Sequence, residues 1–460
     1  MAVREGEAAP VVYCSTALLG DRTALSWREA ILDDRTDEST PPVTAESVEE
    51  FRSRARSWLA ANMPPLDPEE AARLERDGVA SWQRARELQR TLYDGGFAGI
   101  CFPREYGGLG LGYEYKKAFD AESVAYETPL LLNVPSFAIC CATILDMGNE
   151  EQKRSHIHAA LRGDEVLVQM LSEPSGGSDL AGVITRADRR DGRWIINGAK
   201  TWTTWAFAAD YGLCLTRTDW DATKHDGLTM FLVPLRHPGI TVNRVRQVNG
   251  SVEFCEEFLD DVDVGDDAVV GEPGKGWEVA SRQLYHERRT MGDGSEYTSG
   301  PGIVAAQDVS IDLLALVDRT IQGESERVRE MVGRALVHRA VHGQISEHVF
   351  HAVAGGSLPP AAGSIIRLFM AAAHDVETDT AYAVAGAAAA VADDEELIKI
   401  GTRYLGRQIA SIGGGTTEMA RNVIGERVLN FPREYAADRG VPFNQVRRNK
   451  ASGDGEGGRN

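Results

Sequence analysis

At 460 residues the chain has length for about three domains, and its 43% hydrophobic and 26% charged content is that of an ordinary soluble globular protein. Its 49 basic and 69 acidic residues leave a net charge of -20, which argues against a nucleic-acid partner or an anionic membrane surface, since both select a basic face. The six cysteines (Cys14, Cys101, Cys140, Cys141, Cys214, Cys255) are scattered with no CxxC pair, so no disulfide framework or zinc site is implied; with an acidic, polar N-terminus, the expected setting is reducing and cytoplasmic.

Residues 1–43 mix Gly, Pro, Asp, Arg and Thr and end in Thr40-Pro41-Pro42. They read as a flexible N-terminal extension carrying one short amphipathic piece, 24–32. From Thr44 the period turns helical, with Val48, Phe51, Ala55 and Leu59 spaced by three or four. Further helices are expected over 81–94, 114–126, 131–147 and 150–161, so that 44–163 forms an N-terminal helical domain. The glycine-rich stretch 102–110 lacks the G-x-G-x-x-G spacing and reads as a loop.

Near Asp164 the period drops to two. Strands are expected over 166–170, 194–196, 211–217, 228–235, 240–248 and 252–258, with Asp191-Gly192 and Asn197-Gly198 as turns. This gives a middle β domain, 164–275. Helical periodicity returns at Gly276 and defines a C-terminal helical domain, 276–431. The longest apolar run, 381–392, reads as a buried helix and not a membrane span. The remainder, 432–460, is a polar, glycine-rich tail expected to be disordered.

Four constellations have the makings of a site. Met170-Leu171-Ser172-Glu173-Pro174-Ser175-Gly176-Gly177-Ser178-Asp179 leaves a strand into small and hydroxyl residues able to grip a polar planar ligand, or is a plain turn. Asn197 to Trp205 gathers two Trp and three Thr, suited to stacking on a flat ring, or chosen only for strand propensity. Ala280, Leu284, Glu287 and Met291 share one helix face, setting a carboxylate in an apolar stripe where desolvation raises its pKa toward a general base; otherwise it is a surface Glu paired with Arg288 or Arg289. Gly413-Gly414-Gly415-Thr416-Thr417-Glu418 opens a helix whose free amides favour an anion or a polarised carbonyl, or is a capped turn. His338, His342, His348 and His351 mimic metal spacing without a completing carboxylate, and Gly343 is expected to break their helix, so no metal is expected.

Taken together and in this order, these motifs resemble the acyl-CoA dehydrogenase family. The resemblance spans 44–431 and rests on Ser172-Glu173-Pro174 with Gly177-Ser178-Asp179, on Asn197-Gly198-x-Lys200-x-Trp202-x-Thr204, and on Gly415-Thr416-Thr417-Glu418 with Arg421-Asn422-x-Ile424-x-Glu426-Arg427. It implies an α+β multi-domain fold: an N-terminal helical domain, a middle β-barrel and a C-terminal four-helix bundle. It also implies FAD, with Met170, Ser172, Trp202, Thr204, Thr416 and Glu418 on the cofactor and Ser178, Arg288 and the Gly414 amide toward the acyl-CoA. Many members carry the catalytic Glu just before the Gly-Thr of the last loop, where this chain has Gly414. The isovaleryl-type and long-chain members place it in a Glu-Arg pair on the helix after the β domain, which Glu287-Arg288 matches.

The implied reaction removes the α-proton of an acyl-CoA with Glu287 and passes the β-hydrogen to FAD, giving a trans-2-enoyl-CoA, with an electron-transfer flavoprotein as acceptor and a homo- or hetero-oligomeric assembly. The chain departs from the family where Val384-Ala385-Gly386-Ala387 replaces a Gln-x-Phe-Gly-Gly-x-Gly stretch that contacts a neighbour's FAD. That departure leaves open a subunit inactive without a partner chain. A flavin monooxygenase and a carrier-protein thioester dehydrogenase, both of the same fold, are also compatible with the motifs.

Overall fold

The computed structural model describes residues 46–67, 78–290, 295–300, 311–320, 325–391 and 393–446. The expected N-terminal extension, the end of the tail and Met291 lie outside the described residues. The first helix, α1 (Val48–Asn62), begins later than its periodicity suggested, because Ser47 and Glu50 form a reciprocal capping box that fixes the start. It packs with α2 (Val79–Asp94) and α3 (Tyr113–Ser123) around buried Phe51, Leu59, Leu92, Phe97 and Phe119. Among the described residues, the run expected from 381 as a buried helix breaks at Gly386 and leaves Val391 exposed, and the apolar helical segment long enough to stand out is α4 (Leu130–Met147). Its length and mean hydropathy of 1.8 would allow a membrane crossing, but it is mostly buried inside the protein. Residues 150–161 form α5, capped by Asn149.

Eight strands follow in one mixed sheet: β1 (Leu167–Met170), β2 (Arg186–Arg190), β3 (Arg193–Thr204), β4 (Tyr211–Arg217), β5 (Leu228–Pro234), β6 (Ile240–Arg244), β7 (Phe254–Val264) and β8 (Val269–Val270). They pair in the order β6-β7-β3-β2-β4-β5-β8. β1 lies parallel to β4 along Tyr211 to Cys214, while β2 touches the same strand only at Arg217. The chain between them, 171–185, leaves the sheet at that shared edge. The sequence pattern missed β2, and it cut β3 short by reading Asn197-Gly198 as a turn. Those residues lie inside β3 at a register shift against β7; a Cβ on Gly198 would come within 2.7 Å of the Thr185 backbone, so the strands can approach there only with glycine. Asp191-Gly192 does form the β2–β3 turn, both residues at positive φ.

The largest core runs from α2 and α4 through the sheet into α6 (Gly276–Thr290), joining Trp82, Phe137, Phe231 and Val279. A smaller core holds α7 (Leu313–Arg319), α8 (Glu326–Ala354), α9 (Gly363–Ala385) and α10 (Glu395–Gly406) together through Leu316, Val332, Ala381 and Ile400. α8 runs through Gly343 without a break, and His338 and His342 stack on Phe369 at 5.7 and 6.5 Å. The last α-helix among the described residues is α11 (Thr417–Val423), prolonged to 428. Of residues 432–446, expected as the start of a disordered tail, 432–435 are exposed, but Asp438 to Asn444 pack on the middle domain. Phe443 is buried beneath the Arg217 guanidinium, 3.6 Å from its ring, and its amide donates to Ala222 O. Polarity hid this anchor, since it depends on one aromatic residue and on backbone hydrogen bonds.

Candidate functional site

The middle domain contributes a fixed platform. Met170 ends β1 fully buried, and the chain turns out through partly buried Ser172 to exposed Ser178. The turn is held to β3 by the Thr201 amide, which donates to Ser172 O at 3.0 Å. Lys200 Nζ donates to Leu171 O at 3.1 Å and pairs with Glu173 at 2.9 Å, both side chains almost wholly buried. Burial would push the Glu173 carboxyl up. The Lys200 charge and the amides of Ile184 and Thr185 outweigh it and hold the group below its usual range. Thus Glu173 and Lys200, which the sequence motifs contain without a stated task, fasten the Ser172 turn to the Trp202 strand.

On that strand Trp202 sits at a second register shift, between Thr201 opposite Glu256 and Thr203 opposite Cys255. Its φ of 64° is one an L side chain rarely adopts, and the bulge leaves the indole 56% exposed beside Phe254. A large exposed indole held at strained backbone, with the hydroxyls of Thr204 and Ser172 on neighbouring segments, fits a planar aromatic ligand with a polar edge. Trp205, also at positive φ, is buried against Trp82 at 5.2 Å and serves the core.

The helix α6 contributes Glu287. Of the predicted stripe, Ala280 is buried, and Leu284 and Glu287 are partly buried. Burial pushes the Glu287 carboxyl above its usual range; a hydrogen bond from Gln169 and the charges of Arg288 and Arg367 offset this only in part. Gln169 Nε2 donates to Glu287 Oε2 at 3.0 Å, tying the carboxylate to β1 one residue before Met170. Cys140 on α4 also feels this carboxylate, being fully buried with its thiol pushed well up. Arg288 is exposed, and Arg427 adds a second positive charge near it.

The glycine loop is the fourth part. Gly414 and Gly415 both take positive φ, 68° and 94°, which only glycine adopts without strain, so the loop can present backbone where a side chain would intrude. Arg367 on α9 donates to Ala410 O, Gly413 O and, at 3.2 Å, Gly415 O. Thr416 spends its hydroxyl on the α11 N-cap, accepting from the Met419 amide at 3.2 Å, and Glu418 is exposed beside Thr417 and Arg421. Thr416 thus serves as a helix cap, while Glu418 contacts only its neighbours Thr417 and Arg421 among the described residues. Gln169, Glu287, Arg367 and the glycine loop are linked; Ser178 stands apart, in a turn whose Asp179 pairs with Lys224 at 2.7 Å. Gln169 and Arg367 escaped the sequence reading. Gln169 had one available signal, a lone amide in the apolar strand Leu167-Val168-Gln169-Met170.

Matches to known families cover most of this framework: the acyl-CoA dehydrogenase N-terminal domain over residues 45–164, the middle domain over 169–262 and the C-terminal domain over 274–429. The chain belongs to the acyl-CoA dehydrogenase family. It is accordingly an oxidoreductase of a flavoprotein family of lipid metabolism. Among its relatives is the acyl-CoA dehydrogenase IpdE1 of Mycobacterium tuberculosis, 33% identical over 85% of this chain and 99% of that protein. A solved structure described as the Tcur3481-Tcur3483 steroid ACAD superposes with a TM-score of 0.66 at 25% identity, over 86% of this chain and 99% of that one. The ChsE4-ChsE5 complex of Mycobacterium tuberculosis shares the fold, with a TM-score of 0.62 at 24% identity over 87% of this chain and 100% of that chain. The three-domain architecture of this acyl-CoA dehydrogenase is that of these neighbours.

Proposed function

We propose that this acyl-CoA dehydrogenase converts an acyl-CoA thioester to its trans-2-enoyl-CoA with Glu287 as the α-proton base. The observation that carries the reading is the placement of Glu287: a partly buried carboxylate, oriented by Gln169 at 3.0 Å, in a chain whose last loop has Gly414 where a carboxylate would otherwise stand. A raised pKa makes the carboxylate a stronger base once ionised, and activity rises with pH as Glu287 loses its proton. Trp202, Thr204 and Ser172 would hold FAD, which when bound supplies a two-electron oxidant for the β-hydrogen. Glu287 takes the α-proton, and the electron pair left behind forms the Cα–Cβ double bond. A backbone amide at Gly414 would hold the thioester oxygen as negative charge develops on it. Ser178 and Arg288 would face the CoA end, and an electron-transfer flavoprotein would reoxidise the enzyme.

The name of the Tcur3481-Tcur3483 neighbour supports a bulky, ring-bearing acyl group for this chain. A second reading, assembly with a non-identical partner chain, is favoured by Val384-Ala385-Gly386-Ala387 and by Val337, Phe350, Ile398, Leu405 and Ile412, which the C-terminal helices leave exposed. The test is the visible spectrum of the purified protein, taken anaerobically with straight-chain, branched and steroid-derived acyl-CoAs. Bleaching of a flavin band by the steroid-derived thioester supports the reading. A yellow protein bleached by none of them contradicts it, and a protein that turns yellow only when a partner chain is added selects the second.

A further inference from the structure

We infer that Arg367 is a positioning residue that joins the two catalytic elements of the proposed reaction, holding the glycine loop in shape and its own positive charge against Glu287. The inference rests on that reading of Glu287 as base. Three glycines in succession have no conformation of their own, since each can populate both halves of φ space. Something outside the loop must hold Gly414 and Gly415 at their positive φ values. The guanidinium of Arg367 does so by donating to carbonyls on both sides of them, Ala410 and Gly413 before and Gly415 at 3.2 Å after. The Gly413 amide is used in the chain, donating to Ile409 O at 2.9 Å, so it is the Gly414 amide that this reading turns toward the thioester oxygen. A planar fork with several fixed donors suits this task; a lysine ammonium has the charge without the geometry.

The same guanidinium acts on Glu287. Each of the two groups shifts the other toward its charged form, although burial works against the charge on both. The groups facing Glu287 are Arg288 on its own helix, Gln169 from β1, Cys140 from α4 and Arg367 from α9. Arg288, next to Glu287 on the same helix, is the larger of the two cationic influences on the carboxylate. Arg367 is partly buried and its hydrogen bonds to the loop carbonyls fix its position, so it adds a second cation that is tied to the glycine loop. One residue thereby couples the site that receives the proton to the site that holds the developing oxygen charge.

The test compares Arg367→Gln and Arg367→Lys in the holoenzyme. The readouts are flavin reduction in single turnover across pH, and hydrogen exchange of the 410–417 amides. In Arg367→Gln the acidic limb of the rate profile should move up, since the substitution removes a positive charge that lowers the Glu287 carboxyl. kcat should fall more than KM rises, and the loop amides should exchange faster. Arg367→Lys should keep the limb near wild type while still loosening the loop. A limb and loop protection both unchanged in Arg367→Gln would overturn the inference. Glu287→Gln separates the two failures. If it still reduces flavin, the base assignment falls and this inference with it; if it is inactive while Arg367→Gln behaves as wild type, only this inference falls.

Discussion

The two halves of the candidate site are built on opposite principles. The middle-domain half is riveted: Ser172 and the Trp202 strand are joined through a buried Lys200–Glu173 pair, and strain at Trp202 is carried by a twelve-residue strand paired on both sides. The C-terminal half is hung from one side chain, since exposed Gly413 to Gly415 depend on the Arg367 guanidinium for their shape. The middle half suits a rigid surface for a flat ligand, while the C-terminal half suits a backbone that must meet a substrate of variable bulk. Stability should therefore respond to changes in the first half, and turnover to changes in the second.

Lys200→Met should give the largest loss of stability, about 3–5 kcal/mol, because removing one partner strands the Glu173 carboxylate in the interior. Denaturant unfolding checks this, and a loss under about 1 kcal/mol would mean that the pair does not rivet the platform. Phe443→Ala should cost about 3 kcal/mol, the ordinary penalty for emptying a buried aromatic site. Limited proteolysis should then cut the 432–446 segment first. At the smallest end, Thr416→Ala should cost about 1 kcal/mol by uncapping α11. It should appear as faster amide exchange at 417–420 with little change in global unfolding.

The middle domain also carries a pH signature of its own, separate from that of Glu287. Glu257 on β7 is fully buried, and burial pushes its carboxyl up to about 8; Thr203 donates to one oxygen at 2.7 Å, and the other has no hydrogen-bond partner. The folded protein thus holds this proton more tightly than the unfolded chain, whose ordinary value is 4.5. The stability it contributes is complete below pH 4.5 and is lost as pH rises through about 8. Glu257→Gln should flatten this slope, so that the variant gains on the wild type as pH rises from 4.5 to about 8 in thermal melts. A slope unchanged by the substitution would show that Glu257 is not protonated in the fold.

Much of the architecture was legible because period and motif act locally. The switch from helical to strand spacing near Asp164 and its return at Gly276 reflect one-sided burial, which repeats along the chain. Ser172 and Trp202 could be named as candidates because they lie in motifs that resemble the family's, and Glu287 also because it sets a carboxylate in an apolar helix stripe. What stayed hidden depends on distant partners. Gln169 meets Glu287 across 118 positions, and Arg367 looks like any exposed helix arginine until the glycine loop folds over it. Glu256 and Glu257 are adjacent and chemically identical, yet only the second is fully buried, because neighbouring strand positions face opposite sides of the sheet. The Asn197-Gly198 pair misled for a related reason: the same dipeptide that makes a hairpin turn also makes a bulge when the strand continues.

The central claim is that Glu287 is the base, and the most direct measurement is the anaerobic rate of flavin bleaching by a bound acyl-CoA in Glu287→Gln against wild type. The account predicts thioester binding within a few-fold of wild type and bleaching slowed by about 10²–10⁴-fold, the usual contribution of a positioned general base. Bleaching at the wild-type rate in the Gln variant would contradict it, and would mean that another group removes the α-proton.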